Sequence, residues 1–488
     1  MTNIKLIKFA FLSVVFCNVA VDISHKILLQ NIAFKIFDGS EQVVWISIIN
    51  SLILIPFLLL FSVSGYISDK YDKKDVLIYG AVSSFCLSAL MIFAYSISNF
   101  YLAMFVLFLL AVQSTIYSPA KFGIIINLYK KENLANGNSF VQAVSMISIL
   151  FTMGLFSFLF ESMYSANAFE LITSKEVLLN KFLPLTYYVS VIALVEMAIS
   201  FLILKKITTT HNVDDNTVFN KSDYLKGKLL TTNLKYINKN SVIFLSVIGL
   251  SVFWGISQGM LAVFPAYAKE YLNITNVFVI NAVLAASGIG IGLGSYFYSK
   301  MSKNYIETGT IPFAAVGMAV MIYISVQVDS TYGLILSFLA FGFFGGLFVV
   351  PLNSLVQFNS RIENLGTVLA GNNWYQSVFM FSILIMTTVV SLYNLDTLST
   401  IYILLLFTIV GAFYTVIKLP QSLIYFFVKF FVGLKYKLEV TGLKNIPSSG
   451  GVLLLGNHVS WIDWAVIQMS MPRKVKFVMD KNIYDKWF

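Results

Sequence analysis

The chain has 488 residues, of which 58% are hydrophobic and 11% are charged, and its mean hydropathy is +0.81. A water-soluble protein of this length could not cover so much apolar surface, so most of the chain must be embedded in lipid. The net charge of +10 comes almost wholly from lysine, because Arg361 and Arg473 are the only arginines. These lysines lie in short loops between apolar runs, which indicates membrane topology and argues against nucleic acid as a partner. We predict no metal site and no bound cofactor.

Twelve apolar runs are long enough to cross a membrane, since a spanning helix needs about 20 residues. The first six lie at 7–32, 43–67, 75–96, 100–125, 138–160 and 184–204, and the second six at 241–266, 277–298, 309–328, 332–358, 366–392 and 398–418. The polar connector between them, 205–240, is predicted to be a mobile tether. The sequence therefore predicts an all-α polytopic membrane protein with six spans in each half.

Lysine is distributed unevenly between the two sets of loops. The N-terminus, the connector and the loops after the even-numbered spans hold most of it, whereas the opposite loops hold only Lys35, Lys175, Lys181 and Lys269. By the positive-inside rule, both ends of the chain and the connector are predicted to be cytoplasmic.

The segment 65–74, GYISDKYDKK, lies where the second span meets the lysine-rich side. Gly65 is expected to allow a close helix approach, and Asp69 to interact with the N-terminal dipole of a neighbouring helix. Three lysines are expected to anchor the loop at anionic lipid: Lys70, Lys73 and Lys74. We predict that this loop takes part in gating.

This segment resembles the G-x-x-x-D-[RK]-x-G-[RK]-[RK] loop of the major facilitator superfamily. Asp72 stands where that family prefers glycine, which predicts a looser turn, and the corresponding segment of the second half has Tyr298 in place of the acid. The resemblance implies a twelve-helix fold of two six-helix bundles, 1–204 and 241–418, around a midplane site with alternating access.

Charged residues inside the apolar spans are the candidates for the transport site. Asp22 and Lys26 are four residues apart and share a helix face, so they either line a cavity or form a self-neutralising pair. His25 is expected to be exposed or interfacial. Lys121 either contacts a phosphate-bearing head group or snorkels to the surface. Glu196 has no partner nearby in sequence and is a further cavity candidate.

A narrower resemblance, to the bacterial lysophospholipid transporters, covers about residues 5–418. It is carried by short segments spread over both halves, namely Asp22-x3-Lys26, 118–121 (SPAK), 137–138 (GN), 264–269 (FPAYAK), 287–295 (SGIGIGLGS), 351–353 (PLN) and 366–373 (GTVLAGNN). It implies a multi-pass protein of the bacterial inner membrane that flips lysophospholipids, chiefly lysophosphatidylethanolamine, toward the cytoplasmic leaflet. A generic facilitator-type exporter remains the alternative.

The pattern changes after the last span. Residues 419–434 are too few to cross a membrane and predict an interfacial amphipathic helix. From 435 to 488 the sequence predicts α/β structure, with strands at 436–440 and 452–455 and a helix that begins near Ser460.

His458 and Asp463 lie in the run 455–464, LGNHVSWIDW. A carboxylate five residues after a histidine can hold one imidazole nitrogen while the other takes a proton from an attacking hydroxyl. Ser460-x-x-Asp463 is also a capping box, which offers a structural alternative.

The same run resembles the glycerophospholipid acyltransferases, which implies an acyl donor on acyl carrier protein or coenzyme A. That family also needs an arginine-bearing block and a Glu-Gly-Thr-Arg-like block, and residues 464–488 contain neither. The segment is therefore predicted to be an incomplete acyltransferase domain. Three hypotheses remain open: a lysophospholipid transporter with an inert tail, part of a longer transporter that re-acylates what it imports, and a generic exporter.

Overall fold

The computed structural model describes residues 2–129, 134–165, 174–202, 221–302, 306–361, 365–435, 440–442, 445–447, 450–460, 462–471, 475–478 and 481. Within these ranges the regular structure is helical. In the first half the helices are α1 (Thr2–Ile36), α2 (Gly39–Leu59), α3 (Phe61–Lys70), α4 (Lys73–Ser96), α5 (Phe100–Gly123), α6 (Ile125–Tyr129), α7 (Leu134–Ser165), α8 (Lys175–Lys181) and α9 (Leu183–Leu202).

The connector and the rest of the chain continue in the same way. The connector holds α10 (Lys221–Leu225) and α11 (Lys228–Lys239), and the second half holds α12 (Ser241–Leu272), α13 (Val277–Met301), α14 (Thr310–Ser325), α15 (Thr331–Asn359), α16 (Leu365–Leu392) and α17 (Thr397–Lys418). Beyond the spans lie α18 (Pro420–Lys435) and α19 (Asp463–Ser470).

Eleven helices in the described part of the chain are long and apolar enough to cross a membrane. They match the predicted spans in order, except that the ninth is the short apolar helix Thr310–Ser325. Its 16 residues reach about 24 Å, less than the ~30 Å of a hydrocarbon core. The second predicted span is divided at Leu60 into α2 and α3, although the Leu60 N–H still donates to the Pro56 carbonyl.

Glycines hold α13 and α15 in backbone contact. A Cβ atom added at Gly290 or Gly294 of α13 would overlap backbone atoms of α15, and one added at Gly342 or Gly346 would overlap backbone atoms of α13. Each helix thus presents a Gly-x3-Gly face to the other, the arrangement that allows the closest helix packing in membranes. Gly65 does not act in this way, because a Cβ atom there would meet nothing within 4 Å; the predicted close approach at Gly65 is wrong.

The two halves are joined where α1 ends. This end of the bundle carries residues 36–38, 97–99, 273–276, 326–330 and 393–396, and we call it the lysine-poor end. Lys35 Nζ lies 2.9 Å from Glu161 Oε1 and donates at 2.9 Å to the carbonyl of Thr275 in the second half. Glu161 Oε2 in turn accepts from the N–H of Val277 at 3.0 Å, at the start of α13.

A second lysine makes the reciprocal connection. Lys269, near the end of α12, pairs with Asp38 Oδ1 at 2.5 Å and donates to the carbonyls of Phe34 at 2.8 Å and Phe37 at 3.1 Å. The first span of each half therefore ends in a lysine that bonds to backbone of the other half. These contacts close the bundle at the lysine-poor end.

The described part of the connector is docked on both halves. Tyr224 of α10 donates to the carbonyl of Leu59, and Asn238 of α11 accepts from Tyr375 of α16 at 3.1 Å. Ile237 is fully buried. The prediction of a mobile tether is therefore wrong for 221–239, because the apolar side of α11 packs on α16; the rest of that prediction, 205–220, lies outside the described residues.

Helix α18 packs against the start of the short ninth span. Thr308 Oγ1 donates to Ser422 Oγ at 3.0 Å, and the rings of Phe313 and Phe426 are 5.3 Å apart. Lys429 of α18 pairs with Glu307 at 3.6 Å. The helix predicted at 419–434 is therefore present, while its placement in the membrane interface stays a prediction.

The predicted α/β structure of the tail is not observed in the described residues. Residues 452–455 are exposed and form no strand. Of the other predicted strand, 436–439 lie outside the described residues. The predicted helix is α19, which begins at Asp463.

Candidate transport site and the His458 motif

A row of polar side chains runs along α1 at intervals of four residues, which places successive members on neighbouring parts of one face. We call Asn18, Asp22, Lys26 and Gln30 the α1 polar row. Asn18 Nδ2 donates to Glu196 Oε1 of α9 at 3.1 Å, and Gln30 Nε2 donates to Asn50 Oδ1 of α2 at 3.3 Å.

Asp22 bonds to α5 and not to Lys26 of its own helix, α1. Its Oδ2 accepts a hydrogen bond from Ser114 Oγ of α5, and its carboxylate also interacts electrostatically with Lys121 in the last turn of the same helix. Lys26 is absent from the ion pairs of the described residues. The self-neutralising pair of Asp22 and Lys26 is therefore not formed, because α5 supplies Asp22 with a donor and a cation instead.

Lys121 lies at the lysine-rich end of α5, partly buried, with its Nζ 5.2 Å from the ring centre of Phe122. Its charge also interacts with that of Asp22 on α1. The head-group role and snorkelling both stay predictions.

Glu196 and His25 are both fully buried. Glu196 is bonded to Asn18, with the Ser84 hydroxyl beside it, although that hydroxyl meets no hydrogen-bond geometry. It therefore joins α9 to α1 and does not line an open space in this conformation. His25 Nε2 lies 2.8 Å from the carbonyl oxygen of Ala103. The prediction of an exposed or interfacial His25 is wrong, because its side of α1 packs on α5.

In the loop 65–74, Asp72 caps α4. Its side chain accepts from the N–H of Lys74 at 3.2 Å, and the Lys74 ammonium lies 3.4 Å from its other carboxylate oxygen. The turn predicted to be looser is thus fixed by a cap. The Lys73 stem fills the space beside Gly123, where an added Cβ atom would lie 2.5 Å from Lys73 Cε. Gly123 therefore makes room for the Lys73 side chain and not for the backbone of another helix.

Two predicted members of this loop complete the description. The Lys70 Nζ lies 5.4 Å from the ring centre of Tyr66 and 5.9 Å from that of Tyr71, at the end of α3. Asp69 is in the last turn of α3, but its side chain lies outside the described part of the structure, and so does its predicted dipole contact.

At the tail motif, one carboxylate oxygen holds the whole turn before α19. Asp463 Oδ2 lies 3.0 Å from His458 Nδ1 and accepts from the N–H groups of Val459 at 2.7 Å and Ser460 at 2.9 Å. The bonds from Ser460 and Val459, with that of His458, lower the pKa of Asp463 below its ordinary value. The His–carboxylate contact and the acid's half of the capping box therefore coexist, so the geometry fits both interpretations.

Sequence reasoning gave no role to several residues that the structure brings into use. Ser114 is not singled out by the sequence, since nothing in a sequence shows which helix faces α1. Lys35 and Lys269 were counted as loop charges. Their signal was positional, because each ends the first span of its half.

Comparison with known families decides the fold's identity. The profile of the Major Facilitator Superfamily matches residues 11–382. The chain belongs to the Major Facilitator Superfamily. The Acyltransferase family profile matches residues 437–488 of this facilitator, so the resemblance predicted for the tail is confirmed.

Named relatives support the narrower resemblance. The lysophospholipid transporter LplT of Photorhabdus laumondii is 25% identical over 343 residues, which cover 69% of this facilitator and 77% of the relative. LplT of Cronobacter sakazakii is 30% identical over 141 residues, which cover 28% of this chain and 35% of the relative. The predicted similarity to lysophospholipid transporters is thereby confirmed over most of the chain.

Solved structures agree on the fold. The nucleoside transporter NupG aligns with a TM-score of 0.60 at 13% identity, over 88% of this facilitator and 100% of that chain. A bacterial homologue of the lysosomal transporter Spinster, in an inward-facing conformation, aligns with a TM-score of 0.56 at 10% identity, over 86% and 98%. At such identities the likeness shows the fold alone.

Proposed function

We propose that this facilitator moves lysophospholipids, chiefly lysophosphatidylethanolamine, to the cytoplasmic leaflet of a bacterial inner membrane. The observation that carries the proposal is Asp22, an acid inside a membrane span that accepts a hydrogen bond from Ser114 and interacts electrostatically with Lys121. Intramembrane acids are costly and mark substrate pathways. The similarity to proteins named lysophospholipid transporters supplies the substrate class.

Two features support the proposed direction of transport: the distribution of lysine between the loops and the closure of the lysine-poor end. The positive-inside rule assigns the lysine-rich loops and both ends of the chain to the cytoplasm. The end closed by Lys35 and Lys269 then faces outward, and substrate leaves this conformation toward the cytoplasm. Opening at the lysine-poor end is the alternate state in which lipid from the outer leaflet is taken up.

The test is uptake of labelled lysophosphatidylethanolamine by proteoliposomes that contain the 488-residue chain. Asp22→Asn keeps the size of the side chain but removes its charge. Charge-assisted hydrogen bonds contribute about 1.5–3 kcal/mol, so uptake should fall by about ten- to a hundredfold.

Asp329→Asn, which removes an exposed acid from the loop after α14, is the matched control and should leave uptake unchanged. Absence of uptake by the unmodified chain would return the assignment to a generic exporter. Unchanged uptake by a folded Asp22→Asn protein would make Asp22 structural.

Acyl transfer is a second candidate function, favoured by the contact between His458 and Asp463. A carboxylate on Nδ1 leaves Nε2 free to take the proton of a lipid hydroxyl as its oxygen attacks the thioester carbonyl; the C–S bond then breaks and the carrier thiolate leaves with that proton. The same proteoliposomes, supplied with an acyl thioester of acyl carrier protein or coenzyme A, would then form diacyl lipid, and His458→Ala would not. Uptake without formation of diacyl lipid would mean that the 488 residues transport the lipid and do not acylate it.

A further inference from the structure

Lys26 is a cation deep inside a span. It lies ten residues before the end of α1 at Ile36, which corresponds to roughly 15 Å along a helix axis. A lysine stem cannot cover that distance, so snorkelling to the nearer surface does not explain this position. The side chain is only partly buried, so it borders space that another molecule can reach.

The other members of the α1 polar row show what is missing at Lys26. Asn18 is bonded to α9, Asp22 to α5 and Gln30 to α2. In the described part of the structure, the Lys26 ammonium has neither a hydrogen-bond acceptor nor a carboxylate partner. An uncompensated charge at membrane depth costs about 2.5–3.5 kcal/mol even on the most permissive scale. The position therefore calls for an anion that the described chain does not supply.

One turn earlier, the complementary feature is present. Asp22 Oδ1 is buried and has no hydrogen-bond partner, while its other oxygen is taken by Ser114. Side chains four apart on a helix have Cβ atoms about 5–6 Å apart. A free acceptor and a free cation on one helix face, one turn apart, suit a zwitterion whose phosphate and amine are joined by a short linker.

We propose that Lys26 binds the phosphate of the substrate's head group and that the free oxygen of Asp22 receives its amine. The assignment rests on the proposed function and adds the head-group chemistry to it: the site takes a phosphodiester anion next to a primary ammonium. Single-chain lipids that lack phosphate gain nothing from Lys26.

The test compares two labelled lipids with the same acyl chain, lysophosphatidylethanolamine and monoacylglycerol, by equilibrium binding to purified protein in detergent. Lys26→Met keeps the length of the side chain and removes its charge. It should weaken binding of the phospholipid by about ten- to a hundredfold, since charge-assisted bonds contribute about 1.5–3 kcal/mol, and leave binding of monoacylglycerol unchanged. Lys26→Arg should restore most of the affinity. Lys418→Met removes an exposed lysine at the end of α17 and should change neither affinity.

Competition on the unmodified protein separates the sources of phosphate and does not depend on the folding of any variant. Glycerophosphoethanolamine should displace the labelled phospholipid at lower concentration than inorganic phosphate does. Equal displacement by inorganic phosphate would overturn the head-group assignment in favour of a free-phosphate site. Unchanged phospholipid affinity in Lys26→Met, or equal losses for both lipids, would overturn it as well. If the unmodified protein does not bind the phospholipid at all, the proposed function itself fails.

Discussion

The two halves of this facilitator have the same number of predicted spans but stabilise them differently. Every Asp, Glu, Lys, Arg or His that lies away from the span ends belongs to the first half: Asp22, His25, Lys26 and Glu196, with Lys121 in the last turn of α5. The spans of the second half carry none between their terminal turns. They have instead the paired glycines that bring α13 and α15 into backbone contact.

The two halves therefore meet different physical requirements for holding their helices together. In the second half, packing needs only small residues in register, because lipid gives no hydrophobic drive for helices to associate. In the first half, each buried charge needs a partner on another helix, since low dielectric makes an unpaired group costly. We therefore expect the second half to act as the rigid body and the first half to recognise the head group.

The largest effect should come from breaking the rigid half. Gly294→Leu places a side chain where the backbone of Phe343 lies, so α13 and α15 must separate. Overpacking a tight contact costs about 1–3 kcal/mol and more when backbone must move. We expect little folded protein, measured as recovery of a monodisperse peak and as the apparent unfolding temperature in detergent.

Gly292→Leu is the matched control on the same helix, because an added Cβ atom there meets nothing within 4 Å. It should keep both recovery and unfolding temperature. Equal losses in the two variants would mean that backbone contact is not what holds this half together.

A smaller effect should come from releasing the contact between the halves. Lys35→Met with Lys269→Met removes the charge-assisted bonds to Glu161, Asp38 and the opposing backbone carbonyls. At about 1.5–3 kcal/mol for each such bond, the closed population should fall at least about tenfold. The readout is the rate at which an impermeant maleimide labels Ser47→Cys in a Cys17→Ala, Cys86→Ala background. Ser47 is fully buried and is bonded to Thr387 of the other half.

Lys175→Met serves as the control for this experiment. Lys175 lies at the same end but against rings of the first half, with its Nζ 4.7 Å from the ring centre of Tyr101, so its loss should not change the labelling rate. If the double lysine variant labels no faster than this control, the two lysines do not hold the halves closed.

The smallest effect concerns the tail, where the contact between His458 and Asp463 is exposed to solvent and therefore contributes little stability. Asp463→Asn should raise hydrogen exchange at the amides of Val459 and Ser460 a few-fold, because both donate to the carboxylate. His458→Ala leaves those two bonds and should keep the protection. Loss of protection in His458→Ala would show that the histidine, and not the cap, orders the turn.

The same amides give a pH dependence. Because the pKa of Asp463 is depressed in the folded turn, its contribution is complete above the ordinary aspartate pKa of about 3.9 and is lost as the pH falls through the folded value. Protection, corrected for intrinsic exchange, should stay constant from neutral pH down to about 5 and decrease in stronger acid. Loss of protection near neutral pH would point to protonation of a different group.

Much of this protein followed from its sequence because hydropathy and loop charge are local properties. The order of the spans and the superfamily were predicted correctly. Local rules failed where the answer depended on the rotation of one helix against another. Gly65 fits the motif, yet an added Cβ atom there would meet nothing within 4 Å, and the short α14 was expected to be a full span.

The sequence by itself determined that this is a polytopic facilitator, that its intramembrane charges lie in the first half, and that a histidine and an acid follow in the tail. Only the tertiary structure decided which groups meet: Asp22 with Ser114 and not with Lys26, His25 with the Ala103 carbonyl, and Lys35 with the opposite half. The physical reason is that a buried polar group takes the best partner in space. That partner lies on a helix far away in the chain, whose facing side no local pattern records.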